Sequence, residues 1–218
     1  LDEVADRHPD RLAVVDHNSV SGVATRLSYL QLKHRADRIA LGLIGLGIEP
    51  GDVVAFQLPN WWQFMALHLA CLRIGAVSNP LMPIFREREL SFMLDFAQAR
   101  LLVVPHRFRG FDYPAMLAGL RGKLPHLQRV LAVGDDGPDG FDRVLLETRW
   151  EDQFEADAEF ARRRPDPNAV IQLLYTSGTT GQPKGVMHTS NTLMAGVRAY
   201  ADGIALTGDD VCFMASPL

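Results

Sequence analysis

The sequence predicts a layered α/β fold, in which mainly parallel sheets are flanked by helices. Short β-rich apolar runs alternate with longer stretches whose apolar positions recur every three or four residues. Strand–helix–strand order repeats along the chain, which is the pattern of crossover connections. Hydrophobic residues make up 47% of the 218 residues and charged ones 22%, enough apolar surface for a packed core and too little charge for disorder.

The elements follow in order. RLAVVDH (11–17) and ATRLSY (24–29) read as strands, with Ser21-Gly22 as the turn of a hairpin. Leu32, Ala36, Ile39, Leu43 and Leu46 step by four, three, four and three, which predicts a helix with Ser28 as its N-cap and Gly47 as its stop. GDVVAFQL (51–58) is a buried strand. PNWWQFMALHLACLRIG (59–75) is a helix apolar nearly all round, hence buried, and AVSNP (76–80) is a strand end. Arg86 to Ala97 repeats the helical period through Leu90, Met93, Leu94 and Ala97. LLVVP (101–105) and RVLAV (129–133) are strands, the second after a helix through Met116, Leu117 and Leu120.

GDDGPDG (134–140) is a surface turn, 151–164 is a charged segment, and PDPN (165–168) breaks any helix there. A subdomain boundary is placed at that point, giving a first α/β subdomain at 1–165 and the start of a second at 166–218. The second opens with the strand AVIQLLY (169–175). GVMHT is extended, and Ser190 or Asn191 caps a helix whose apolar face is Leu193, Val197, Tyr200 and Ile204.

Charge and cysteine count narrow the function classes. The formal net charge is −4 and the pI near 6.0, so nothing favours nucleic acid or an anionic membrane surface. Cys71 and Cys212 lie far apart with no CxxC, which fits a reducing cytoplasm better than a disulfide or zinc framework. The apolar stretch from Trp61 to Val77 is short and interrupted by Gln63, His68 and Arg73, so no transmembrane segment is expected.

The informative stretch is YTSGTTGQPKG (175–185), where seven of eleven residues are Gly, Ser or Thr. A hairpin turn takes about two to five residues and needs no hydroxyls. A polyphosphate does need them. Glycines let backbone N–H groups approach and aim at phosphate oxygens, Ser and Thr add donors, and a lysine supplies a mobile charge. The candidate phosphate-binding residues are Thr176, Ser177, Gly178, Thr179, Thr180, Gly181 and Lys184. The Walker loop GxxxxGK[ST] does not fit, because Pro183 precedes Lys184 and Gly185 follows it.

LLYTSGTTGQPKGVM resembles the signature of the AMP-forming acyl-CoA synthetases and other adenylate-forming ligases. The similarity extends to GIEPGDVVAFQLPNWWQFMALHLACLRIGAVSNPLMP (47–83) and to CFMASPL (212–218), and so spans nearly the whole chain. RERELSFML and HRFRGFDYPAM are similar to the branch acting on short- or medium-chain fatty acids and on cyclohexanecarboxylate. The resemblance implies an incomplete N-terminal large domain. It implies activation of a small carboxylic acid by ATP with Mg²⁺, release of pyrophosphate, and transfer of the acyl group from the adenylate to coenzyme A. By similarity, the loop wraps the β and γ phosphates. The family's catalytic, adenine-binding and hinge residues are expected beyond Leu218, so this stretch alone is expected to be inactive. A non-enzymatic nucleotide- or phosphate-binding module is the alternative.

Other residues take plainer readings. Where relatives often carry a His, this chain has Ser190, and His188 reads as a strand residue with a hydrogen bond. Trp61 and Trp62 read as core, Cys71 as an inert small hydrophobe, and Met82 and Met93 as gap-fillers. Arg86 to Glu89 read as a solvated, self-paired face, and the charge of Arg162 to Arg164 is offset by nearby acids. No His/Cys/Asp cluster has metal-ligand spacing, and no GxSxG occurs.

Overall fold

The computed structural model describes residues 1–176 and 183–216. A six-stranded sheet organises the chain, in the order β10-β9-β4-β3-β5-β8. These strands are β3 (Val53–Phe56), β4 (Val77–Pro80), β5 (Leu101–Pro105), β8 (Arg129–Val133), β9 (Val170–Thr176) and β10 (Lys184–Thr189). Five of them run parallel, and β10 returns antiparallel along β9 as the edge. The mainly parallel sheet expected from the sequence is therefore present.

Side-chain alternation assigns the two faces. Val54, Phe56, Leu101, Val103, Leu131 and Val133 point to one core, with α2 (Tyr29–Gly45) and α3 (Trp62–Ile74) packed on it. Ala55, Leu102, Val104 and Ala132 point to the other, covered by α4 (Glu87–Phe96) and α5 (Tyr113–Ala118). Both sides of the central strands are buried, as the unbroken apolar run LLVVP requires.

Local signals set the boundaries. Ser28 caps α2, accepting from Gln31 N–H while the Gln31 side chain accepts from Ser28 N–H. Gly47 follows the end of α2 at φ 81°, a left-handed conformation that suits glycine. Gly75 terminates α3 at φ 71°, and a Cβ there would sit 2.8 Å from the Arg163 carbonyl oxygen.

A short α1 (Asp2–Arg7) and an antiparallel hairpin, β1 (Leu12–His17) with β2 (Ala24–Ser28), precede the sheet. The hairpin is docked by a buried carboxylate: Asp16 Oδ2 accepts from the Trp62 N–H, at 2.7 Å, in the first turn of α3. A helix N-terminus has unpaired donors and favours negative charge, so this placement satisfies both groups.

After β5, a two-residue ladder, β6 (Arg107–Phe108) with β7 (Phe111–Asp112), turns the chain into α5. Between β8 and β9 run a π-helical segment, Asp142–Glu147, and α6 (Ala156–Arg163); α7 (Ser190–Gly203) follows β10. The charged segment 151–164 thus contains a helix, whose Arg163 is 5% exposed and forms ion pairs with Glu49 and Glu159.

Three readings change. The cap of α7 is Thr189, in a reciprocal box with Thr192, rather than Ser190 or Asn191. The helix itself is present as read, with its apolar face open: it buries no residue, and Val197 and Tyr200 are 57% and 65% exposed. Met82 is 39% exposed at the exit of β4, whereas Met93 fills the core as expected. Within the Arg86–Glu89 run, Glu89 accepts from the Arg86 N–H at 3.1 Å, but the Arg86 side chain turns to other groups. Its guanidinium lies 4.1 Å from the Phe111 ring centre and donates to the carbonyls of Pro83 and Phe85. Trp61, Trp62 and Cys71 are buried as expected, and burial pushes the Cys71 thiol far up, so it stays protonated.

Among the described residues, no helix is long and apolar enough to cross a membrane. The sequence division at residue 165 falls between α6 and β9, and β9 joins the sheet through its bridge to β4.

Candidate functional site

β9 runs parallel to β4, so Thr176 stands at the carboxyl edge of the parallel sheet. In open α/β sheets that edge is where ligands bind. Lys184 opens β10 and lies directly opposite Thr176. Opposed residues of an antiparallel pair project to the same face, so the hydroxyl and the ammonium emerge side by side. Both residues are exposed. The remaining candidates, Ser177, Gly178, Thr179, Thr180 and Gly181, lie outside the described residues.

The same alternation carries the row inward. Val186 opposes Leu174 and His188 opposes Gln172, on the face that Thr176 and Lys184 share. His188 is therefore a half-buried strand residue four positions along from Lys184, and a register shift follows it before Thr189.

The opposite face anchors the strand pair. Tyr175 opposes Gly185, and its hydroxyl donates to the Met93 carbonyl at 2.8 Å in the last turn of α4. Burial pushes the Tyr175 phenol up to about 12, so it keeps its proton at neutral pH. On the inner side, the pairing of β9 with β4 is a single bridge, Ser78 to Gln172. Pro80 has no N–H to extend it. The buried Asn79 side chain takes over, its Nδ2 donating to the Leu173 carbonyl at 2.8 Å. Asn79 Oδ1 and Gln57 Oε1 are buried near the carboxyl ends of β4 and β3, with no hydrogen-bond partner among the described residues.

Sequence reasoning missed Tyr175 and Asn79 as part of this arrangement. Tyr175 reads as the last residue of a strand and Asn79 as part of a strand end, and only the tertiary fold shows what they grip. Among the described residues, no group of three or more His, Cys, Asp or Glu forms a metal site. Of the candidate residues, those described are Thr176, with its hydroxyl, and Lys184, with its ammonium.

The family described as AMP-binding enzyme matches residues 1–218. A "Medium-chain fatty-acid--CoA ligase" from Escherichia coli is 38% identical over 210 residues, which cover 96% of this chain and 36% of the relative. A "Salicyl-AMP ligase / salicyl-S-ArCP synthetase" from Mycobacterium tuberculosis is 39% identical over 213 residues, covering 97% of this chain and 36% of the relative. The apo structure of Mycobacterium smegmatis MbtA superposes with a TM-score of 0.79 at 32% identity, over 96% of this chain and 36% of that one. The chain thus spans little more than a third of the length of these relatives.

Proposed function

The chain belongs to the AMP-binding enzyme family, and on that premise we propose that the full-length protein activates a carboxylic acid with ATP, forming an acyl-adenylate and pyrophosphate, and then passes the acyl group to coenzyme A. The observation that carries the reading is the stem of the loop. Thr176 and Lys184 face each other in register at the carboxyl edge of a parallel sheet, with the Gly-, Ser- and Thr-rich segment between them.

A carboxylate is a weak nucleophile and is repelled by the triphosphate. Neutralising that charge and fixing the line of attack at the α-phosphorus is the main task of such a site. The residues of this chain fit the β and γ phosphates: hydroxyls and backbone N–H groups from 176–181 as donors, and Lys184 as the cation. Magnesium would add charge to the phosphate oxygens, which suit its hard oxygen coordination. Lys184 and the hydroxyls would then hold the departing pyrophosphate and leave the α-phosphorus open to the acid.

The acid is proposed to be a medium-chain or alicyclic carboxylate. One relative's name specifies a medium-chain fatty acid, and the segments 86–94 and 106–116 point to the same branch. Coenzyme A is preferred to a carrier protein as acceptor on the same ground, although another relative is named for transfer to a carrier.

Lys184→Ala combined with Thr179→Ala in the full-length protein tests the loop. Each lost charged or polar contact is worth about 1–2 kcal/mol, so the pair should raise the KM for ATP by roughly 10²-fold. Unchanged ATP affinity and adenylation rate would remove the basis of the reading. Pyrophosphate release across a panel of carboxylic acids, with and without coenzyme A, tests the substrate and the acceptor.

A further inference from the structure

We infer that Tyr175 is a positioning residue for the proposed phosphate loop, holding the stem of that loop against the end of helix α4 through its hydroxyl. The inference rests on the phosphate-loop reading and adds to it the tether that fixes the strand ends flanking the loop.

Tyr175 touches both stems of the loop. It immediately precedes Thr176, and it opposes Gly185, the residue after Lys184. A Cβ at Gly185 would lie 3.8 Å from Tyr175 Cε1 and 3.1 Å from Leu173 Cδ1. The ring thus lies within van der Waals reach of Gly185 on β10, while the tighter approach there is that of Leu173.

The hydroxyl then ties this unit to a different layer. It donates to the Met93 carbonyl at 2.8 Å, which also accepts the Ala97 N–H at 3.0 Å. A carbonyl oxygen has two lone pairs, so Met93, with one serving Ala97, offers the other at a rigid point. α4 is itself fixed, with Leu90, Met93 and Leu94 buried in the core. From the other side, the buried Asn79 amide holds the Leu173 carbonyl. The last residues of β9 are thus clamped between α4 and β4, at positions two residues apart. Contact with Gly185 requires only the ring. The hydroxyl is needed only for the tether.

The alternative is that this bond merely stabilises the end of α4, and kinetics separate the two. In the full-length protein, Tyr175→Phe keeps the ring and removes the donor. Pyrophosphate release is measured with octanoate as the acid while ATP is varied, alongside the melting temperature. The KM for ATP should rise about three- to tenfold, the range set by one hydrogen bond. The KM for octanoate should stay within about twofold and the melting temperature within about 3 °C. Incorporation of p-aminophenylalanine at position 175, which restores a donor on the same ring, should recover most of the loss. An unchanged KM for ATP overturns the inference, whether or not the melting temperature falls. Lys184→Ala is run in parallel. If it raises the KM for ATP and Tyr175→Phe does not, the positioning role fails alone. If neither raises it, the phosphate-loop reading fails as well.

Discussion

His68 sits on α3 at the helix–sheet interface, its Nδ1 2.8 Å from Ser78 Oγ, and burial holds the imidazole below its ordinary value of about 6.5. The sign of the consequence follows from proton counts. Between the lowered folded value and the unfolded one, the unfolded chain binds more protons, so stability rises with pH in that window. Above about pH 6.5 the contribution is fully present, and it is lost as the pH falls toward the folded value. Chemical denaturation at pH 7.5 and pH 5.5 should show this loss, and His68→Gln should flatten it. An equally steep dependence in the variant would place the effect on another group. The sequence offered His68 only as an interruption in an apolar helix. The hydroxyl it meets comes from β4, and no local pattern could pair them.

At the scale of elements, the packing of α2 against the segment after Glu147 sets the sign of a substitution that helix propensity alone gets wrong. Gly42 and Gly45 lie on the face of α2 that meets Trp150, whose indole Nε1 is fixed by a bond to the Val144 carbonyl at 2.8 Å. Alanine is favoured over glycine by about 1 kcal/mol in a helix interior, and by less at Gly45, the last residue of α2. A Cβ on Gly45, however, would sit 2.8 Å from Trp150 Cη2, and overpacking costs about 1–3 kcal/mol. Overpacking wins because the indole cannot swing away without losing its hydrogen bond. Gly45→Ala should therefore lower stability by about 1–2 kcal/mol in denaturant titration. Trp150→Leu should abolish the penalty and expose the propensity gain. The elements themselves were largely legible. The Leu32–Leu46 stripe with Ser28 gave α2, and LLVVP gave β5. What stayed hidden depended on partners far along the chain. DRVLLE has too few turns to show a period, yet forms the π-helical segment against α2. The helix within 151–164 reads as solvated charge until Glu49 claims Arg163. At the α7 cap, Thr189, Ser190 and Asn191 are all good cap formers, so propensity could not choose. The backbone does, by turning helical after Thr189.

At the scale of the whole molecule, the two sides of the sheet are finished unequally. The α2–α3 and α4–α5 layers close over the central strands. The β10–α7 end exposes apolar side chains instead, including Met187, Met194, Val197, Tyr200 and Ile204, and Val211 and Phe213 stand almost fully in solvent beyond it. An apolar surface of this kind marks an interaction face or an aggregation liability. The chain of residues 1–218 should bind a hydrophobic dye and self-associate with rising concentration. Val197→Lys with Tyr200→Lys should reduce both without lowering the melting temperature, since α7 buries nothing. Retained dye binding in the double variant would locate the sticky surface elsewhere. The loop could be nominated as a phosphate site from the sequence because a turn requires none of its hydroxyls. Its placement was not legible, because the register of β9 against β4 rests on a single bridge and one side-chain amide.

That bridge joins residue 172 to residue 78, with β5 and β8 folding on the far side of the sheet in between. On the ribosome, β4 must wait as a bare edge while the intervening strands are synthesised and seated. Contacts so distant along the chain form late and slowly. The nascent protein therefore passes through a stage with an open flank, at the place where the nucleotide's tail is proposed to rest. A chaperone's claim on this protein would be strongest during that interval.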